Sequence, residues 1–78
     1  MNRAVVELDA RRLLCPMPVI KLQDCLKKQA MGTRVEITST DPGAMNDIPT
    51  WCRINGHDLI SSSDDGLEYV FLVEKGTD

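Results

Sequence analysis

Apolar residues alternate with polar ones in some stretches of the chain and recur every third or fourth position in others, which divides it into six elements. Residues 4–9, Ala-Val-Val-Glu-Leu-Asp, are short and rich in β-branched side chains and predict a first strand. Residues 16–30 predict a helix: at about 100° per residue, Val19, Leu22, Cys25, Leu26, Gln29 and Ala30 share one side. Lys27 and Lys28 then lie near the negative end of the helix dipole, and Gly32 is the stop signal. Residues 34–40, Arg-Val-Glu-Ile-Thr-Ser-Thr, alternate and predict a second strand.

The stretch from Asp41 to Pro49 carries conflicting signals. Asp41-Pro42 looks like a helix start, but Pro49 lacks the backbone donor that a helix interior needs. The expected resolution is one turn at 42–46 and then a helix capped by Asp47, with Pro49 in its first turn. That helix runs through Trp51, Cys52 and Ile54 and stops at Gly56. Residues 57–62 and 67–75 are then two strands joined by the hairpin turn Asp64-Asp65-Gly66. The order βαβαββ predicts an α/β (α+β type) two-layer sandwich, one domain over residues 1–78, with both helices on one face of a four-stranded mixed sheet. The first two strands should be parallel, joined by a right-handed crossover.

Composition narrows the function. A chain of 78 residues buries roughly 60% of its unfolded surface. Hydrophobic residues make up 42% of it and aromatic residues 4%, so the core must be Leu, Ile, Val, Met and Ala. A pocket enclosing a drug-sized ligand, roughly 300 Å³ or more, is not expected, and chemistry should sit at the surface. The formal charge is −3, and Lys and Arg never run beyond a pair, which argues against direct contact with nucleic acid or an anionic membrane. Residues 1–10 have no continuous apolar stretch, so neither an export signal nor a membrane span is expected there, and the cytoplasm is the expected location. Three cysteines, an odd number, argue for reduced thiols rather than a disulfide framework.

Of these cysteines, Cys15 stands out, in Leu13-Leu14-Cys15-Pro16-Met17-Pro18. Pro16 suits the first helical position, where no donor is needed, which would make Cys15 the N-cap. A sulfur there faces unpaired amides and the positive end of the helix, and Arg11 and Arg12 add positive charge nearby, so a lowered thiol pKa is expected. On the helix, Met17 and Ile20 lie opposite the apolar stripe, among Lys21, Asp24, Lys27 and Lys28, and suggest a patch for partner proteins. Trp51 is a core anchor or an interface residue. Cys25 and Cys52 are expected to pack in the core, and Asp41 and Asp47 to act as helix caps. His57 should be a polar residue opening a strand, too far along the chain to serve as a base for Cys15. A zinc site from Cys15, Cys25, Cys52 and His57 is not supported, because no Cys-x-x-Cys pair exists.

Leu8-Asp9-Ala10, Cys15-Pro16-Met17-Pro18, Asp41-Pro42, Asp47-Ile48-Pro49 and Gly56-His57-Asp58-Leu59 together resemble the TusA/SirA-like sulfur-carrier family across nearly the whole chain. The resemblance implies a βαβαββ sandwich and a persulfide role for Cys15, with Pro16 and Pro18 as the motif prolines. It implies a cysteine desulfurase or rhodanese-type protein as donor and a downstream protein as acceptor, with no metal or organic cofactor. The chain is expected to work as a monomer. Destinations implied by the family are tRNA thiolation, molybdenum-cofactor sulfuration or sulfur oxidation. Where the family usually has glycine three positions ahead of the cysteine, this chain has Arg12, and Leu14 and Met17 are more apolar than the charged residues often found around the motif. If that glycine has positive φ, arginine there costs on the order of 1 kcal/mol. Two other readings compete: a regulatory protein-binding module in which the Cys-Pro-x-Pro turn serves only as shape, and a thiol redox switch pairing Cys15 with Cys25 or Cys52.

Overall fold

Strands that alternate in sequence alternate in burial, and the sheet they form carries one apolar face. A computed structural model describes residues 5–76. Its elements are β1 (Val5–Ala10), α1 (Met17–Lys27), β2 (Arg34–Ser39), α2 (Ala44–Asn55), β3 (Asp58–Asp64) and β4 (Tyr69–Glu74). Ala4, placed in the first strand by the sequence, lies outside the described residues. The sheet order is β1-β2-β4-β3; β1 is parallel to β2, and β4 is antiparallel to both β2 and β3. The expected βαβαββ sandwich with a mixed sheet is therefore the observed one. Among the described residues, no helix is long and apolar enough to cross a membrane.

The core lies between that face and the helices. Val35 pairs with Val73, and Ile37 with Phe71, across the two central strands. All four are fully buried, and they cluster with Leu22 and Leu26 of α1 and Ile48 and Cys52 of α2. The opposite face is more polar and carries the Arg34–Glu74 ion pair at 3.1 Å, between directly opposed residues. Strand β3 is an edge, and its register against β4 shifts between Leu59 and Ser61. From Ile60 to Asp64 its side chains are all exposed.

Both helices depart from the sequence reading, for separate physical reasons. Helix α1 spans Met17–Lys27, shorter at both ends than residues 16–30. Beyond it the chain is drawn onto the end of β4: the buried Lys75 donates from Nζ to the Gln29 carbonyl at 2.7 Å, and Gly32 N–H donates to the Lys75 carbonyl at 2.8 Å. Ala30, expected on the apolar stripe, is consequently exposed. The buried seam is instead Pro18, Leu22 and Leu26, spaced four residues apart, with a motif proline in the core.

Helix α2 is continuous over Ala44–Asn55, so Pro49 neither breaks it nor sits in its first turn. The carbonyl that Pro49 leaves without an N–H partner is that of Met45, on an exposed part of the helix where water can serve. Asp47 is thus a residue of the first turn and not a cap. The stop at Gly56 is as expected: Gly56 has φ 77°, and His57 N–H closes the end on the Cys52 carbonyl at 2.9 Å.

Arg12 has φ 65°, the positive value anticipated for a glycine position. A left-handed conformation costs a non-glycine residue about 1–2 kcal/mol, partly offset by the extra freedom glycine would lose on folding, about 0.5–1 kcal/mol. Arg12→Gly is expected to stabilise the protein by about 0.5–1 kcal/mol. A raised urea midpoint with an unchanged m-value is the result to look for, and a lowered midpoint would contradict it.

Candidate functional site

The Cys15 loop is held by the loop that follows β2, across a separation of 26 or more residues. Arg12 N–H donates to Thr40 Oγ1 at 2.9 Å. Cys15 N–H donates to Asp41 Oδ2 at 2.7 Å, while Asp41 Oδ1 accepts Gly43 N–H at 3.1 Å. One carboxylate thus ties the cysteine to the turn that begins α2, and Asp41 itself is oriented by its N–H on Ser39 Oγ at 3.1 Å. The two proline motifs are therefore one structural unit. Asp41 shapes the turn that leads into α2, but Gly43 holds the N-cap position of that helix, with no side-chain cap bond.

Cys15 is exposed, as expected. Its expected position is not observed: Pro16 occupies the N-cap of α1, joined to Cys15 by a cis peptide, and the proline inside the first turn is Pro18. Met17 N–H goes to the Leu14 carbonyl at 2.8 Å and Pro18 has none to offer, so these first positions direct no donor at the sulfur. The thiol instead donates to Asp47 Oδ2, from the first turn of α2.

The expected lowering of the thiol pKa is overturned by this contact. The Asp47 hydrogen bond holds the Cys15 pKa above the ordinary thiol value, with desolvation and the negative charges of Asp47 and Asp41 acting in the same direction. Arg11 does not counter them, because its guanidinium is engaged with Glu68 at 2.7 Å and Asp9 at 3.4 Å. Sequence reasoning placed no base beside the sulfur, yet the fold brings a carboxylate there. Asp47-Ile48-Pro49 was the available signal, but a residue read as a cap gave no reason to turn it toward Cys15.

The other candidate residues surround this loop at varying range. Met17 and Ile20 are exposed, at 46% and 41%, and Leu14 beside the cysteine is more so, at 75%. Lys21 is exposed and donates from Nζ to the Asp9 carbonyl at the end of β1. Pro16, Val19, Asn46, Asp47, Thr50, Trp51 and Ile54 line an open depression of about 370 Å³ between the helices. Trp51 is half-buried, packs on the core, and stacks on His57 with ring centroids 5.1 Å apart. Cys25 is half-buried against the core, and Cys52 is fully buried, its thiol pKa pushed up to about 11 mainly by desolvation.

His57 lies at the far side of Trp51 and accepts Gly76 N–H on Nδ1 at 3.1 Å, which requires that nitrogen to be unprotonated. Burial, and then the positive charge of Lys75, hold its pKa below the ordinary value of 6.5. The unfolded chain therefore binds the proton more readily, so stability is lost as pH falls through about 6.5. Urea midpoints at pH 7.5 and 5.5 are expected to differ less in His57→Gln than in the parent; equal differences would rule out this contribution.

Comparison with known proteins bears on the whole chain. The family model described as "Sulfurtransferase TusA" matches residues 6–75. "Putative sulfur carrier protein YrkI" of Bacillus subtilis (strain 168) is 38% identical over 69 residues, covering 88% of this chain and 92% of YrkI. "Putative sulfur carrier protein YrkF" of the same organism is 33% identical over 76 residues, covering 97% of this chain but 41% of YrkF, a longer protein. The matched span runs from β1 through β4 and includes Cys15, Asp41 and Asp47. This chain belongs to the TusA sulfurtransferase family.

Proposed function

We propose that the protein is a sulfur carrier in which Cys15 accepts a sulfane sulfur as a persulfide and relays it to an acceptor protein. The observation that carries this reading is the exposed Cys15 sulfur on a loop fixed by Thr40 and Asp41, within a chain of the TusA family. The names of YrkI and YrkF point the same way. In loading, Sγ bonds to the outer sulfur of a donor persulfide, the donor's sulfur–sulfur bond breaks, and the donor cysteine leaves with its electron pair. The donor is a cysteine desulfurase or rhodanese-type protein, and the acceptor is a second protein presenting a thiol.

Leu14, Met17, Ile20 and Trp51 supply apolar contact for these partners, and Lys21, Arg11 and Arg12 supply charge at the edge. A formal charge of −3 without a basic run fits a protein acceptor better than direct contact with RNA. A redox switch through Cys52 is disfavoured by that thiol's burial and its pKa of about 11. Incubation with a cysteine desulfurase and ³⁵S-labelled cysteine, followed by non-reducing peptide mapping, tests the proposal. Label is expected on the Cys15 peptide as one added sulfur, and label confined to Cys25 or Cys52 would refute it.

A further inference from the structure

The sulfur of Cys15 meets a carboxylate where a carrier would be expected to meet positive charge. Asp47 comes from α2 and Asp41 from the loop before it; both are negative, and Asp47 accepts the Sγ–H hydrogen bond directly. Of the cations nearby in sequence, Arg11 is turned to Glu68 and Asp9 and Lys21 to the Asp9 carbonyl, and the charges that act on the sulfur are those of Asp47 and Asp41. A thiol so placed rests protonated, and a protonated thiol does not attack. A sulfur of raised basicity is also a stronger nucleophile once ionised and a slower leaving group as a bare thiolate. Each difficulty is met by a group that takes the proton during attack and returns it during departure.

We propose that Asp47 is that group: its carboxylate accepts the Sγ proton as Cys15 takes up sulfur and protonates Sγ as Cys15 gives it up. The inference rests on the carrier reading of Cys15 and adds to it. In loading, the Sγ–S bond forms and the donor's S–S bond breaks. The donor sulfur keeps the electron pair and regains, through solvent, the proton that Asp47 removed. The sum is Cys15–SH plus donor–S–SH giving Cys15–S–SH plus donor–SH, with no oxidant or reductant consumed. In unloading, the acceptor sulfur bonds to the outer sulfur, its proton reaches Asp47, and Sγ departs with the electron pair and takes that proton. Asp41 holds the peptide of Cys15 in place through both steps.

If Asp47 served only to suppress the thiolate, its removal would speed loading; if it handles the proton, removal slows it. The test uses the full chain as parent, Asp47→Asn and Asp47→Glu, with two readouts. Iodoacetamide alkylation against pH measures ionisation, and ³⁵S uptake from a cysteine desulfurase at pH 7 measures transfer. In Asp47→Asn the alkylation midpoint is expected to move to lower pH while sulfur uptake falls by about 100-fold or more, the low side of what a positioned acid–base group supplies. Asp47→Glu, which keeps the carboxylate, is expected to retain more of the rate than Asp47→Asn. Uptake by Asp47→Asn at or above the parent rate, an unmoved alkylation midpoint, or equal losses in both variants would overturn the assignment. A parent that alkylates normally at Cys15 yet takes up no label would instead remove the carrier reading, and this role with it.

Discussion

Cys15→Ser is expected to load no sulfur, a loss limited only by the detection of label, while Cys25→Ser and Cys52→Ala load as the parent does. The asymmetry follows from placement. Serine preserves the size of the side chain and can still donate to Asp47, so the loop geometry survives, but a hydroxyl forms no persulfide. Cys25 lies half-buried on α1 and Cys52 is fully buried on α2, out of reach of a partner's sulfur. Uptake by Cys15→Ser at the parent level, measured by intact mass and radiolabel together, would remove the sulfur chemistry from this site. It would favour a binding module for which the Cys-Pro-x-Pro turn is only a shape.

The largest expected effect on stability is at Phe71, the bulkiest fully buried side chain. It sits in β4 between Ile37 of β2 and Ser62 of β3. Phe71→Ala removes a ring whose loss typically costs about 3–5 kcal/mol. At about 0.05–0.15 kcal/mol per residue, a chain of 78 residues has roughly 4–12 kcal/mol of stability in all. The variant should therefore show a urea midpoint reduced by about a quarter or more, or no cooperative transition at 37 °C. A loss below about 1 kcal/mol would mean that the core repacks around the gap far better than buried aromatic sites do.

How much of this was legible in the sequence depends on how local the cause is. Alternation located the strands because a half-buried sheet imposes a two-residue period directly on the chain, as in Val35, Ile37 and their polar neighbours Arg34 and Glu36. Gly56 and a hairpin turn at Asp65-Gly66 were equally readable, since backbone conformation there is a property of the residues themselves, although Asp64 belongs to β3 and the connection runs over residues 65–68. Pro18 was not placed in the core, because the register of α1 is set by what it packs on. Pro49 does not break α2, because the helix position it leaves without a donor partner, Met45, lies on an exposed part of the helix. The exposed cysteine was legible in the motif, but the group its sulfur meets was not. The helix-start argument considers only the neighbours of Cys15 in sequence. The side chain that governs the sulfur arrives from 32 residues away, and its contact reverses the sign of the pKa shift.

The register shift in β3 matters for keeping such a molecule separate from its copies. A carrier must leave a reactive sulfur and apolar side chains uncovered, and it also ends its sheet in an open strand. Between Leu59 and Ser61 that strand is thrown out of step with its neighbour, and the serines and Asp64 that follow offer little apolar surface. An uneven, hydrophilic rim of this kind is a poor template for another chain to add onto. On the β3 side, at least, the sheet can thus end without inviting a further strand, while Leu14, Met17 and Ile20 remain uncovered elsewhere on the molecule.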